Sequence, residues 1–174
     1  MTAHRDTFAR QRLPPESQWP VMDWSLPELQ YGPQLNAAVE LLDDAVARGW
    51  GERTAIRFPG GSWSYSRLLA ESNRVANVLT REFRLVPGNR VLLRGPNNAM
   101  LAACWFGVLK AGGICVTTMP LLRARELAFM CEKAEVHLAL CDHRFTEELE
   151  HAQRLAPVLE RIVRYGGNTE LDKA

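Results

Sequence analysis

The second half of the chain alternates short apolar runs with segments of helical spacing, and this alternation limits the possible folds more than any other feature. Strand patterns cover 90–94, 114–118, 136–141 and 162–165, and helical patterns cover 98–111, 123–134 and 146–155. The first two strand patterns are almost entirely apolar or β-branched, as expected of strands that are buried on both faces. The sequence therefore predicts an α/β fold, with a mostly parallel sheet of about five strands and helices on both of its faces.

A proline-rich arm precedes this region. Residues 1–34 show neither the helical nor the strand period. Their prolines are Pro14, Pro15, Pro20, Pro27 and Pro33. Because proline lacks a backbone donor and blocks helix formation, we expect an extended arm that is anchored on the domain surface by Trp19 and Trp24. The α/β unit then comprises residues 35–174.

Between the arm and the sheet, the sequence predicts a helix and a β-hairpin. Apolar residues recur at helical spacing from Leu35, and Gly49 follows them as a helix-ending glycine. The run 54–65 contains two strand-like stretches joined by Gly60 and Gly61, which favour a tight turn. Ser64 can then cap the next helix. The apolar face of that helix is Leu68, Val75, Ala76, Leu79 and Phe83.

Charge and cysteine content exclude several classes of protein. With 21 Lys and Arg against 20 Asp and Glu, the net charge of +1 excludes a strongly basic nucleic-acid binder. The longest apolar stretch, 99–109, is about half as long as a membrane span, and the amino-terminal residues lack the apolar region of a signal peptide. The 4 cysteines form no C-x-x-C pair. We expect reduced thiols in a cytoplasmic protein that binds neither nucleic acid nor membrane.

Two features that could carry chemistry are interpreted as structural. The paired glycines at 60–61, 112–113 and 166–167 lack the spacing of a phosphate-binding loop, which leaves turns and helix caps as their role. Cys141, Asp142 and His143 combine a thiol, a carboxylate and an imidazole. Neighbours on a strand point to opposite faces, however, so Cys141 is expected in the core and the other two in a polar loop.

Arg123 and Arg125 open a predicted helix beside Glu126, where the helix dipole favours anions over cations. Two interpretations stay open. In the first, this is a solvated helix turn in which Arg125 and Glu126 form a weak surface pair. In the second, the guanidinium groups join free backbone N–H groups to hold a phosphate.

The order of these motifs resembles that of the amino-terminal part of adenylate-forming acyl-CoA synthetases. The resemblance rests on the Ser64-Tyr65 helix start, the N-R-x-A-N-x-L pattern at 73–79 and the K-A-G-G turn at 110–113. It covers nearly the whole chain and is closest to benzoate-CoA and 2-aminobenzoate-CoA ligases, since the run TAHRDTFARQRLPP resembles the arm of the latter group. One departure is Arg67, at the position where the family usually has the glutamate of a capping box.

The resemblance implies that the chain is the amino-terminal fragment of an aryl-CoA ligase. In such an enzyme an aromatic carboxylate attacks the α-phosphate of Mg-ATP, and the thiol of coenzyme A then displaces AMP. The family's ATP-holding loop, adenine motif, ribose-binding Asp and catalytic Lys lie beyond the last residue of this sequence. The chain alone is therefore expected to be inactive, with no catalytic or metal-binding residue and with the rest of the ligase as its partner.

The resemblance also suggests one binding role. In some acetyl-CoA relatives, the helix that corresponds to 123–134 contacts the nucleotide part of coenzyme A. The contacting residue in those relatives is an arginine, and the corresponding position here is Phe129. Arg123 and Arg125 lie nearby and are therefore the candidate contacts to a coenzyme A phosphate.

Two alternatives from other classes remain. One is a stand-alone parallel-sheet domain that binds a nucleotide, and the other is a non-catalytic interaction module that uses an apolar face. A measurement of ATP binding separates the nucleotide-binding domain from the ligase fragment and from the interaction module. Because the predicted helix at 98–111 is apolar almost all round, we also expect exposed apolar surface and self-association.

Overall fold

A parallel sheet forms the centre of the structure, a computed structural model that describes residues 3–32 and 34–166. The described strands are β1 (Thr54–Phe58), β2 (Gly61–Ser64), β3 (Arg90–Arg94), β4 (Ile114–Thr118), β5 (Leu138–Asp142) and β6 (Arg161–Tyr165). The α-helices are α1 (Phe8–Gln11), α2 (Tyr65–Arg81), α3 (Ala99–Lys110), α4 (Ala124–Ala134) and α5 (Thr146–Leu155). Strands β3 to β6 pair in parallel in the order β4-β3-β5-β6, and β1 and β2 form a separate antiparallel hairpin.

This arrangement confirms the predicted α/β class and corrects two details. The described sheet has four parallel strands rather than about five. Strand β5 starts at Leu138, two residues later than the apolar pattern predicts. Glu135 adopts a left-handed conformation at the end of α4, and the Val136 N–H still donates to the Cys131 carbonyl at 2.9 Å. Val136 therefore belongs to the end of the helix, and its burial reflects packing rather than strand pairing.

Helices cover both faces of the sheet, as predicted. Val91 and Leu93 pack with residues of α2 and α3 on one face, and Leu92 packs with residues of α4 and α5 on the other. Helix α3 is apolar on most sides because it lies between the sheet and α2. Gly107 of α3 allows the close crossing of these two helices, since a Cβ at this position would lie 2.6 Å from Val75.

The segment before the sheet also follows the sequence pattern. Residues 37–50 are helical and include two wide π-type turns, Val39–Asp43 and Val46–Trp50. Gly49 has a φ of 84°, which is the left-handed conformation expected of a helix-ending glycine. The Ser64 hydroxyl accepts a hydrogen bond of 3.2 Å from the Arg67 N–H and caps α2.

The arm is less extended than predicted, and its anchor is different. Helix α1 and two 3₁₀ turns, Glu16–Gln18 and Pro27–Leu29, interrupt it. Trp19 and Trp24 remain 44% and 53% exposed, so they do not anchor the arm. The Trp19 indole instead donates to the Pro14 carbonyl within the arm. The prediction that the prolines block helix formation is therefore wrong for these single turns, because a proline constrains only its own position and its immediate neighbours.

Asp6 anchors the arm at the amino-terminal edge of the sheet. Its carboxylate accepts a hydrogen bond of 2.8 Å from Asn89 Nδ2 and a further one from the buried guanidinium of Arg90. The Asp6 backbone N–H donates to the Pro87 carbonyl at 3.0 Å. Gly88 allows this approach, because a Cβ there would lie 2.2 Å from the Asp6 carbonyl oxygen.

Among the described residues, no helix is long and apolar enough to cross a membrane.

Candidate functional site

The sheet has a topological switch point between β3 and β5. The connection that leaves β3 runs to β4 on one side, whereas β5 and β6 lie on the other side of β3. In open parallel sheets, ligands bind in the crevice outside the carboxyl ends of the strands at such a point. A cavity of about 450 Å³ lies here, between the ends of β3, β5 and β6 and the β1–β2 hairpin. We take this carboxyl-edge cavity as the candidate functional site.

Asp142 closes the cavity from the end of β5. The residue is 1% exposed, which corrects the prediction that it lies in a polar loop. Its Oδ1 accepts hydrogen bonds from the backbone N–H and Nε of Arg144, and its Oδ2 accepts from Arg144 Nη2 at 3.0 Å and from Asn98 Nδ2 at 3.3 Å. Burial opposes ionisation of this carboxylate, but the bonds and charge of Arg144 outweigh it and lower its pKa.

The neighbours of Asp142 do not form a catalytic group with it. Cys141 lies in the core, as predicted, and burial raises the pKa of its thiol to about 12. Its Sγ donates to the Asp142 backbone carbonyl at 3.3 Å, and His143 Nδ1 lies 3.6 Å from Asp142 Oδ1. A protonated, buried thiol is not a nucleophile, so the sequence Cys-Asp-His carries structure rather than catalysis.

Tyr165 of β6 packs against the end of β3. Its hydroxyl donates to the Arg94 carbonyl at 3.3 Å, and burial raises the pKa of the phenol. Gly95 follows β3 here, where a Cβ would lie 2.3 Å from the Tyr165 hydroxyl oxygen and 3.2 Å from Asp142 Cβ. A glycine at position 95 therefore allows the ends of β3, β5 and β6 to meet at the cavity.

Arg94 fixes the loops around this edge, a role that the residue patterns do not predict. The residue is 1% exposed, and in the described part of the chain its guanidinium donates to four backbone carbonyls. The acceptors are Phe145, Met119, Pro120 and Leu122, at 2.9 to 3.0 Å. These carbonyls belong to the β4–α4 and β5–α5 connections. The one signal in the sequence was an arginine at the end of an apolar strand run, where a charge needs many partners.

The opposite wall of the cavity is formed by the hairpin and the first turn of α2. Trp63 on β2 is 2% exposed, and its indole Nε1 has no hydrogen-bond partner among the described residues. The Arg67 guanidinium lies 4.7 Å from the centre of the Trp63 ring. Glu71, one turn further along α2, is paired with Arg74. Helix α3 starts at the same cavity, where Asn98 caps it by accepting from the Leu101 N–H at 2.8 Å.

The two predicted site residues, Arg123 and Arg125, do not line this cavity. Arg123 Nη1 pairs with Glu148 Oε1 at 2.9 Å, while Glu148 Oε2 accepts from the Ala124 N–H at 2.8 Å. Glu126, which was paired with Arg125 in one interpretation, instead accepts from the Arg123 N–H at 2.7 Å. Carboxylates of this chain thus already occupy the start of α4, where a phosphate was considered.

The described residues also offer little for a metal ion. Within 3–32 and 34–166, no group of three or more His, Cys, Asp or Glu side chains is placed to hold one. The acidic groups at the cavity, Glu71 and Asp142, are each paired with an arginine.

Comparison with known proteins gives consistent matches. Residues 43–173 match the profile of the family described as AMP-binding enzyme. The chain is 31% identical over 134 residues to 3-hydroxybenzoate–CoA/4-hydroxybenzoate–CoA ligase of Thauera aromatica, which covers 77% of this chain and 25% of that protein. It is 37% identical over 108 residues to salicyl-AMP ligase / salicyl-S-ArCP synthetase of Mycobacterium tuberculosis, covering 59% and 19% respectively.

Solved structures show the same fold. The anthranilate CoA ligase AuaEII in complex with anthranoyl-AMP superposes with a TM-score of 0.69 at 24% identity, over 78% of this chain and 26% of that one. A benzoate CoA ligase from Burkholderia xenovorans superposes with a TM-score of 0.69 at 21% identity, over 76% and 26%. The chain therefore spans about a quarter or less of the length of the curated relatives described above.

Proposed function

The chain belongs to the AMP-binding enzyme family, and on that premise we propose that it is the amino-terminal unit of an aryl-CoA ligase acting on benzoate or 2-aminobenzoate. The observation that carries the proposal is the 134-residue match to a hydroxybenzoate–CoA ligase, which extends over three quarters of this chain but only a quarter of the relative. The likeness of fold to an anthranilate and a benzoate CoA ligase supports the aromatic class of acid.

In the proposed full-length ligase, ATP, Mg²⁺ and coenzyme A supply the activating and accepting groups of the reaction. The described residues do not fit Mg²⁺ or a triphosphate. Their acids are not clustered around a metal position, and the N-terminus of α4 already holds Glu148. What this unit contributes is the scaffold: Arg94 fixes the two connections at the carboxyl edge, and Asp142 fixes the turn that carries Arg144.

Arg123 and Arg125 stay candidates for contacting a phosphate of coenzyme A. Both are exposed, and Arg123 would have to exchange Glu148 for the phosphate. Because an exposed ion pair contributes little free energy, this exchange has a low cost. Arg125 has no ion-pair partner within the described part of the chain, so it is available without any rearrangement.

A chimera tests the proposed function. Residues 35–166 of this chain replace the matched segment of the Thauera aromatica ligase, and acid-dependent exchange between ATP and pyrophosphate is measured with benzoate, 2-aminobenzoate and 3-hydroxybenzoate. We expect exchange within about a hundredfold of the parent, since the catalytic groups come from the parent and the scaffold from this chain. A folded chimera without exchange for any of these acids would contradict the proposal.

Arg123→Gln and Arg125→Gln in the chimera are expected to raise KM for coenzyme A and leave the exchange unchanged.

Two measurements on the isolated chain distinguish the remaining alternatives. We expect no acid-dependent exchange from it, because the groups that would bind the triphosphate are not among the described residues. Exchange above background that survives repurification would overturn this. Calorimetry with ATP tests the hypothesis of a stand-alone nucleotide-binding domain, because that hypothesis requires saturable binding of ATP. An amino-terminal unit of a ligase and an interaction module do not require it.

A further inference from the structure

The amino-terminal arm consists of a short docking segment and a long connector. The docking segment, residues 4–12, contains helix α1 and contacts the amino-terminal edge of the sheet. The connector, residues 13–32, is exposed at every position except Leu29, which is partly buried. Within the described chain, the hydrogen bonds of the connector stay inside the arm. The connector therefore has no bonded attachment of its own to the α/β unit.

A small group of residues binds the docking segment through its carboxylate. We call residues 87–90 together with Glu135 the cradle. Asp6 Oδ2 accepts from Asn89 Nδ2 at 2.8 Å and from the buried guanidinium of Arg90. The backbone N–H groups of the docking segment also donate to the cradle, since those of residues 5 and 6 both reach the Pro87 carbonyl. A buried charge with this many partners makes the contact specific.

An aromatic ring and a second ion pair complete the contact. The Phe8 ring centre lies 4.4 Å from the Arg90 guanidinium and 3.6 Å from that of Arg12. Arg12 Nη2 in turn lies 4.0 Å from the Glu135 carboxylate. The docking segment is therefore a discrete binding element, with all of its recognition groups inside nine residues of chain.

Both ends of the connector are held at the same edge of the molecule. The docking segment is bonded to Pro87, and the N–H of the adjacent Gly88 donates to the Gly112 carbonyl at 2.8 Å. After the connector, Asn36 Nδ2 donates to the Leu109 carbonyl at 2.8 Å, in the same turn at the end of α3. The connector thus forms a loop that leaves and returns at neighbouring points.

The composition of the connector does not favour such a closed loop. Prolines make a chain extended and semi-rigid, and closing a loop costs conformational entropy. The prolines of the connector are Pro14, Pro15, Pro20 and Pro27. Its large apolar side chains also gain nothing from the closed arrangement, since Val21 is 99% exposed and Met22, Trp24 and Leu26 are more than half exposed.

We propose that the arm is exchangeable between two copies of this chain, so that the docking segment of each copy binds the cradle of the other in a two-fold dimer. Each cradle then makes the same contacts as it does within one chain, which is why exchange of an identical element is a low-cost route to dimers. Opening relieves the closed loop, and the two connectors cover the apolar side chains of each other.

The tether sets the concentration at which exchange is expected. A flexible linker gives its own segment an effective concentration in the millimolar range, so exchanged dimers should appear as the protein concentration approaches about 1 mM. The proposal goes beyond the proposed ligase function, since it concerns association of the chain with itself. Its outcome is independent of the exchange reaction measured in the chimera.

Nuclear magnetic resonance of mixed full-length chains tests the proposal. One copy carries nitrogen-15, and the other carries a nitroxide spin label on Ala3→Cys, an exposed position beside the docking segment. The four native cysteines are buried or half-buried, which directs the label to position 3. At about 1 mM, the label is expected to broaden the amide signals of 88–90 and 135 in the nitrogen-15 copy. No broadening of these signals after prolonged incubation would overturn the proposal.

One substitution placed in either copy gives opposite expectations. Asp6→Asn in the spin-labelled copy should reduce the broadening at least about threefold, because its docking segment has lost the carboxylate. The same substitution in the nitrogen-15 copy should increase the broadening, because the cradle of that copy is then vacated by its own segment.

Asp23→Asn in the spin-labelled copy is the matched control. Asp23 belongs to the connector, so this substitution should leave the broadening unchanged. Circular dichroism checks that each variant is folded. Equal broadening with Asp6→Asn and Asp23→Asn in the spin-labelled copy would show that the copies associate through another surface, and this would refute arm exchange.

Discussion

At the scale of single residues, Arg94 determines how the carboxyl edge of the sheet is held together. Within the described residues its guanidinium donates to four backbone carbonyls, so carbonyl dipoles are its direct hydrogen-bond partners. Burial lowers its pKa, although an arginine remains protonated at any ordinary pH. The two connections that it joins are far apart in sequence, which makes this side chain a cross-link between them.

Arg94→Leu is expected to destabilise the protein strongly. The substitution leaves four carbonyls without their donor, and the expected loss in the free energy of unfolding is about 3 kcal/mol. Chemical denaturation measures it, with Arg81→Gln as an exposed control expected to change stability by less than about 0.5 kcal/mol. Hydrogen exchange should show faster opening of 119–122 and 143–145. A variant as stable as the wild type would mean that water replaces the guanidinium without cost.

The thiols provide a prediction about pH. All four cysteines are free, and burial raises the pKa of Cys104, Cys115 and Cys141 to about 12 and that of Cys131 to about 11, from an ordinary value of 9.0. Above pH 9 the unfolded chain loses thiol protons that the folded chain keeps. The thiols therefore leave the free energy of unfolding independent of pH below pH 9. Above pH 9 they make it fall as the pH rises toward 12.

Thiol titration and denaturation at pH 8 and pH 10 check this expectation. In the folded protein at pH 8, all four thiols should react slowly with a disulfide reagent, and four should react in denaturant. The denaturation midpoint should be lower at pH 10 than at pH 8. One thiol that reacts at the rate of a free cysteine, or fewer than four thiols in denaturant, would contradict the reduced and buried state.

Residue patterns predicted some of these details and not others. The Ser64 cap and the left-handed Gly49 depend on a few neighbouring residues, so local sequence contains enough information to find them. Arg94 is buried because carbonyls from two distant connections satisfy it, and Asp142 is buried where the helix start at Asn98 meets the end of β5, and neither arrangement is visible in a local window. Charged residues at strand ends are for this reason the least predictable part of the site.

At the scale of elements, the arm differs most from expectation. Tryptophans in a polar segment suggest anchors, since they gain most from burial. Here the anchor is a carboxylate, because the buried Arg90 at the start of β3 donates to the Asp6 carboxylate, whereas the Glu135 carboxylate lies 3.7 Å away. The Phe8 ring adds to this contact, with the Arg90 guanidinium 4.4 Å from its centre.

Asp6→Asn is expected to release the arm. The carboxylate uses both oxygens, since Oδ2 accepts from Asn89 and Arg90 and Oδ1 accepts from the Phe8 N–H at 3.0 Å. The amide has one acceptor oxygen and no charge to face Arg90, and the expected loss is about 1.5 kcal/mol in the free energy of unfolding. Burial raises the pKa of Asp6, but its hydrogen bonds and the Arg90 charge outweigh this and lower it below 3.8. The carboxylate therefore stabilises the fold above pH 3.8, and its contribution is lost as the pH falls further. The difference between wild type and variant should narrow at acidic pH.

A second aspartate on the arm serves as the control. Asp23 accepts hydrogen bonds from the Ser25 N–H at 2.9 Å and from the Ser25 side chain, both local to the exposed arm, so Asp23→Asn should leave stability within about 0.5 kcal/mol. Amide exchange in residues 5–8 should accelerate in Asp6→Asn and remain unchanged in Asp23→Asn. Equal effects of the two substitutions would show that the arm is held by something other than the Asp6 contact.

At the scale of the whole molecule, hydrophobic periodicity predicted the fold because a parallel sheet buries both faces of its strands. The bounds of β3 and β4 match the prediction, and α2 packs against the apolar helix α3. The position of the cavity did not follow from the sequence, since it depends on strand order. The sequence shows which segments are strands but not that β5 pairs with β3, which creates the switch point.

The same molecule leaves one side of α3 uncovered, and this leads to a prediction about association. An apolar groove of about 390 Å³ runs between the hairpin and α3, lined by Ile56, Phe58, Leu101, Trp105 and Phe106 among others. Within the described residues, β4 has a partner strand on one edge only. Apolar surface of this kind on a monomer favours self-association.

We therefore expect the chain to bind the dye ANS and to show a mass above that of a monomer in light scattering at high concentration. Phe106→Gln should reduce both signals, because it places an amide in the groove, whereas Trp24→Gln, which changes an exposed residue of the arm, should leave them unchanged. A monodisperse monomer without dye binding would show that α2 and the hairpin already cover α3 sufficiently.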